Sequence, residues 1–176
     1  LVGSEMCIRD RNKSTYEREM ENLRTDIANQ QEYLDHSIWI NMSPYDVCEA
    51  RADLFVSTGY QIMPGMEYQN RDNTDTILQA YQSLLTSSAV LEDVAKQVKT
   101  EPRYLEELVE VTIGANLDGQ LNRMLTIDVK HTTKEDAKKV LDAFLAHVDD
   151  MHDQIATSIG EHTVSIVNES VSALVN

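Results

Sequence analysis

The chain has 176 residues, with 15 Lys and Arg against 30 Asp and Glu and a formal net charge of −15. So acidic a composition lacks the concentrated basic face that nucleic acid or anionic lipid requires, which argues against both as direct partners. Hydrophobic residues make up 41%, enough to build the core of one domain with an extension and to exclude wholesale disorder. Cys7 and Cys48 are the two cysteines.

Residues 1–10, Leu-Val-Gly-Ser-Glu-Met-Cys-Ile-Arg-Asp, read letter for letter like an in-frame translation of a transposon-type sequencing adapter. Residues 1–11 are therefore expected to be an adapter remnant without structure, and the remainder a fragment cut at both ends. With Cys7 assigned to the adapter, Cys48 is left alone and no internal disulfide framework is possible.

From Tyr16 to Leu34, the positions Tyr16, Met20, Leu23, Ile27, Gln30 and Leu34 alternate steps of four and three, a heptad seam among polar residues. Residues 12–40 are read as the end of a longer coiled-coil-like helix, closed by Ser43-Pro44. Residues 41–176 are read as one α+β domain. Val47 to Thr58 alternates as a strand. Gln61 to Asp72, with Pro64-Gly65, is a loop. A helix from about Thr74 carries Ile77, Tyr81, Leu84 and Leu85 on one face. Ser87-Ser88 caps a second helix, and Pro102 opens a short third one.

Val111, Ile113 and Ala115 then pair with Leu121, Leu125, Ile127 and Val129 across an Asp118-Gly119 turn. Thr133 and Asp136 have the spacing of a capping box. The long helix that follows places Ala137, Val140, Leu141, Phe144, Val148, Met151 and Ile155 on one stripe, with Gly160 at its end. Glu161 to Val171 returns to strand, Val164 and Ile166 on one face and Val167 at a kink or bulge. The expected class is α+β: a small mixed or antiparallel sheet with packed helices, preceded by the coiled-coil-like helix.

No grouping predicts catalysis, a cofactor or a metal. His147, Asp149, Asp150, His152 and Asp153 crowd one stretch of the long helix. The two histidines are five residues apart, about 140° around the helix, not the one-face spacing of a helical metal pair. His131 and His162 lie at element ends without a Ser or Cys at a triad's spacing. Cys48, inside a strand, reads as a small buried hydrophobe. Trp39, between two isoleucines, reads as a packing residue, with sugar stacking as the alternative; Tyr60, Met63, Met66 and Tyr68 read as cover for the sheet edge, with an exposed sticky patch as theirs. No run approaches the ~20 apolar residues of a membrane span.

Three segments resemble the chain-length determinant family, the polysaccharide co-polymerases of the Wzz type. Cys48-Glu49-Ala50-Arg51-Ala52-Asp53-Leu54-Phe55-Val56 is similar to that family's opening strand, with Cys48 in place of an aromatic residue. Ser83-Leu84-Leu85-Thr86-Ser87-Ser88-Ala89-Val90-Leu91-Glu92-Asp93-Val94 is similar to its helix pair. Leu125-Thr126-Ile127-Asp128-Val129-Lys130-His131, with Glu135-Asp136-Ala137 and Val140-Leu141, is similar to its strand leading into a helix. The likeness runs from about Tyr45 to Val171. In place of the transmembrane helix that usually precedes the first strand of that family stands the coiled-coil end.

The resemblance implies a non-enzymatic, extracytoplasmic domain held in the cell membrane by segments outside this fragment. It would form a homo-oligomer and act with polysaccharide polymerase or export machinery, and in some relatives a tyrosine kinase, to regulate the length of a surface or capsular polysaccharide. The alternative is an adhesin-like or coiled-coil scaffold module of a cell-envelope protein; an enzyme is the third reading.

Overall fold

A computed structural model describes residues 2–60, 64–65, 72–115 and 121–174. The chain divides into two compact units, 1–41 and 42–176. The first holds helix α1 (Val2–His36) and the single turn α2 (Ile38–Asn41). The helix runs unbroken from Val2, so residues 1–11, expected to lack structure, extend the heptad helix from residue 2 on; no Pro interrupts the run, and propagation adds a backbone bond for each residue fixed. At the other end, the Asn41 side-chain amide donates to the carbonyls of Leu34 and Ser37, each at 2.9 Å. That satisfies acceptors which a helix terminus leaves without partners.

The second unit contains β1 (Cys48–Thr58), α3 (Thr74–Leu85), α4 (Ser88–Val98), α5 (Pro102–Glu106), β2 (Val109–Ala115), β3 (Leu121–His131), α6 (Lys134–Ser158) and β4 (His162–Ala173). The four strands form one antiparallel sheet in the order β2-β3-β1-β4. A β-helix-β-β-helix-β chain with its first strand between the third and fourth is the ferredoxin-like arrangement. The expected α+β class is thus realised as an all-antiparallel sheet. The strands around Ala52, Ile113, Ile127 and Val164 are neighbours in it, as their one-sided apolar patterns require.

Ala50, Ala52, Leu54 and Val56 of β1 are buried, as are Leu125, Ile127 and Val129 of β3, and α3 and α6 lie over this face. The stripe Ala137, Val140, Leu141, Phe144, Val148, Met151 and Ile155 supplies the other half of the core, with Ile77, Leu78, Tyr81 and Leu85. Thr133 caps α6: its hydroxyl accepts from the Asp136 amide at 3.1 Å and donates to the Asp136 carboxylate at 2.9 Å. At the far end the helix stops at Ser158 with Ile159 as its last, right-handed cap residue, so Gly160 stands just past the end as expected, and its carbonyl accepts from the His162 ring. The Asp118-Gly119 turn, like Met63, Met66 and Tyr68, lies outside the described residues.

Two substitutions separate capping from packing. Thr133→Ala should cost about 1 kcal/mol, recovered by Thr133→Ser. Phe144→Ala, which empties a fully buried site, should cost about 3–5 kcal/mol. Urea denaturation followed by circular dichroism measures both; equal losses would contradict this division of roles.

Candidate functional site

The face of the sheet away from the helices is polar except where Phe55 stands beside Met124, and its side chains form rows set by the strand register. Glu49 stands beside Lys130. Arg51 stands beside Asp128, with Glu110 on the far side of Asp128. Asp53 stands beside Thr126, with Thr112 beyond. Side chains directly opposite on one face lie within reach of each other, so opposite charges placed there support the sheet.

Asp53 is the best-bonded member. Its carboxylate accepts from Thr126 Oγ1 at 2.8 Å, Asn168 Nδ2 at 3.2 Å and Arg51 Nε at 3.2 Å, joining three strands. Burial opposes its ionisation, but these bonds outweigh that effect and hold it below the usual aspartate range.

Asp128 has the opposite fate. Burial first, then the charge of Glu49 and a hydrogen bond with it, push Asp128 up to about 6. Its Oδ1 is shut from solvent without a hydrogen-bond partner. Two carboxyls in contact on a half-covered surface cannot both ionise freely, so one retains its proton into the mildly acidic range.

A second polar group lies at one end of the sheet. Tyr81, wholly buried on α3, meets His162 at the start of β4, with its hydroxyl 2.7 Å from Nε2. His162 Nδ1 is 2.9 Å from the Gly160 carbonyl, which only accepts, so the proton sits on Nδ1 and Tyr81 donates to Nε2 when the ring is neutral. Burial, with the charges of Asp149 and Asp153, raises the Tyr81 phenol to about 12, so it remains a donor.

His152 packs against His162 with ring centroids 4.6 Å apart and the ring planes tilted by 45°. It gives one N–H to the His162 carbonyl at 2.9 Å and faces Asp153 Oδ1 at 3.1 Å; these two contacts raise its affinity for a proton. Beside this group, Thr58, Gly59, Tyr60, Asn73, Ile77, Gly160 and Glu161 line an open cleft of about 150 Å³.

The crowded stretch of α6 is therefore dispersed. His147 turns towards Asp93 of α4, with Nε2 2.9 Å from Oδ2 but off hydrogen-bond geometry, while His152 turns towards β4. Among the described residues no group of three His, Cys, Asp or Glu side chains converges as metal ligands. His131 packs at the end of β3, where burial lowers its proton affinity against the pull of Asp136. Cys48 is buried, its thiol directed at the Thr132 carbonyl at 3.9 Å. Trp39 is 46% exposed on α2.

Sequence reasoning did not find the Tyr81–His162 bond, because 81 residues separate the partners and no local spacing links them. The Glu49–Asp128 pair was findable: once Cys48 is set opposite His131, the two carboxyls fall on adjacent rows.

No family model and no curated protein matches this chain. A solved structure described as the crystal structure of AtUAH in complex with glyoxylate shares 11% identity, at a TM-score of 0.32. The similar region covers 72% of this chain and 28% of that one. Among the described residues no helix is long and apolar enough to cross a membrane.

The polar face makes a pH prediction. The folded state binds the Asp128 proton more tightly than the unfolded chain, whose carboxyl has the ordinary value of 3.8. Stability is therefore lost as pH rises from about 4 to about 6, and the penalty persists above that. Asp128→Asn should stabilise the domain by on the order of 1 kcal/mol near neutral pH, after solvent screening, and by almost nothing near pH 4. Thermal melts across that range test the sign; an Asn variant less stable at neutral pH would refute it.

Proposed function

We propose that this chain is a non-enzymatic, extracytoplasmic domain of a membrane-anchored polysaccharide co-polymerase, which regulates the length of a surface or capsular polysaccharide. In this reading the protein self-associates side by side next to polymerase or export machinery, with a tyrosine kinase as a further partner. It is held in the membrane by segments outside this sequence.

The observation that carries the reading is the edge of the sheet. β4 forms an outer strand of 12 residues, paired to β1 on one side, and presents Ile166 and Val167 at 51% and 55% exposure. An open strand with exposed apolar side chains is a template for pairing with a neighbour. The two polar groups of the domain, by contrast, bond mainly within the fold, Asp53 to three strands and Tyr81 to His162. That is the chemistry of a surface rather than of a reaction centre, and it supports an assembly role.

The segments that resemble the co-polymerase family occupy structural places consistent with such a scaffold. Ala50, Ala52 and Leu54 form the inward face of β1, Leu85, Leu91 and Val94 the inward faces of α3 and α4, and Ala137, Val140 and Leu141 that of α6.

A chain-length regulator that works by holding neighbours together should change its product when the contact weakens, without stopping synthesis. We expect Ile166→Asp with Val167→Lys, made in the full-length protein, to shift or broaden the length distribution of the glycan on a gel. Loss of all glycan would point to an essential role other than length control. An unchanged ladder from a well-expressed variant would favour the adhesin-like or scaffold reading.

A further inference from the structure

We propose that α1 pairs, in parallel and in register, with α1 of a second copy of this chain, forming a short two-stranded coiled coil. The proposal rests on α1 alone and stands or falls separately from the role in glycan length.

The seam is assembled but uncovered. Along α1, Tyr16, Leu23, Ile27 and Leu34 are 64%, 56%, 65% and 48% exposed. With Met20 and Gln30 they occupy alternating steps of four and three, so Met20, Ile27 and Leu34 take the a positions of a heptad, and Tyr16, Leu23 and Gln30 the d positions. A β-branched Ile at a with Leu at d favours two strands over three or four. The helix is already formed over this region, so pairing does not have to meet the cost of nucleation.

Charge decides orientation. The residues flanking the seam are Glu19, Asp26 and Tyr33 at g, and Glu17, Arg24 and Gln31 at e. In a parallel dimer a g residue faces the e residue five positions further along the other helix. Glu19 then meets Arg24 of the partner subunit, twice by symmetry. In an antiparallel pair centred on the same seam, Asp26 would face Asp26 of the partner subunit and Arg24 would face Arg24 of the partner subunit. Within one helix Arg24 lies 4.0 Å from Glu21, an exposed contact of little strength that the dimer exchanges for the Glu19 pairing.

Gln30 decides register. In register its amide meets the same amide and both can bond, whereas a slip of one heptad sets Gln30 against Leu23 and buries an unmatched polar group.

The test uses the whole chain in a Cys7→Ser background, since Cys7 is exposed on the same helix while Cys48 is buried. Ile27→Cys should give a disulfide-linked dimer under mild oxidation, and Thr25→Cys, on the outward face, should not. Sedimentation equilibrium of the whole Cys7→Ser chain should show reversible dimers. Arg24→Glu should weaken them on the order of tenfold, and the double change Glu19→Arg with Arg24→Glu should restore them. Linking only when Leu23→Cys and Ile27→Cys chains are mixed would overturn the parallel orientation. A monomer throughout, or an Arg24→Glu variant that dimerises like its parent, would overturn the proposal. The substituted side chains are exposed, and an unchanged melt of residues 42–176 shows that folding is not the cause.

Discussion

The double pairing of β1 is the constraint on which the second unit depends. β1 is antiparallel to β3 on one side and to β4 on the other, so two sets of backbone bonds fix its register. A slip of one residue would send Ala50, Ala52, Leu54 and Val56 to the open face and bring Glu49, Arg51 and Asp53 under the helices. Burying those three charges without matched partners would cost far more than any single contact in the domain stabilises. The small side chains of Ala50 and Ala52 leave room for α6 and α3 to lie over the strand, and the larger Phe144 and Tyr81 fill the space from the helix side. Hydrophobic stripe and strand register thus specify each other.

Much of this was legible in the chain because the periods are clean. Alternation identified β1 and β3, a 3.6-residue stripe identified α6, and Thr133 with Asp136 located its first turn to the residue. The order of strands in the sheet was not legible. Local periodicity says which face of a strand is apolar but not which strand lies beside it, and here the first strand sits between the third and fourth. The end of α6 at Gly160 was legible as well, but the use of its carbonyl was not, because the His162 ring that engages it also meets a tyrosine from α3. The heptad of α1 was legible as a pattern, while its extension to Val2 reflects propagation of an existing helix more than any local signal.

The open face shows how one sheet gives similar groups different chemistry. Asp53 and Asp128 are both half-covered aspartates on neighbouring strands. Asp53 has three donors and is held ionised; Asp128 is more deeply buried, has a second carboxyl beside it, and is pushed towards the neutral form. The difference comes from the deeper burial of Asp128 first, and then from its position in the rows beside Glu49. Such a face is stabilised by pairing wherever opposite charges meet, and is sensitive to pH around Asp128, where like charges do.

Val167 reconciles the two halves of β4. Before it, Val164 and Ile166 stand opposite Val56 and Leu54, on the helix side; after it, Asn168 stands opposite Asp53 and Glu169 opposite Ala52. With strict alternation and no extra residue, Asn168 and Ser170 would have turned towards the helices, and Glu169 and Val171 towards the open face. The bulge exchanges them. It brings Asn168 to the Asp53 carboxylate, places Glu169 where Lys138 of α6 reaches it at 2.6 Å, and lays Val171 over the end of the core. The residue that permits this is itself left outside the ladder. Its exposure on the sheet edge follows directly from the register correction, so the same apolar side chain that aligns the strand internally becomes the most prominent feature the strand offers outward.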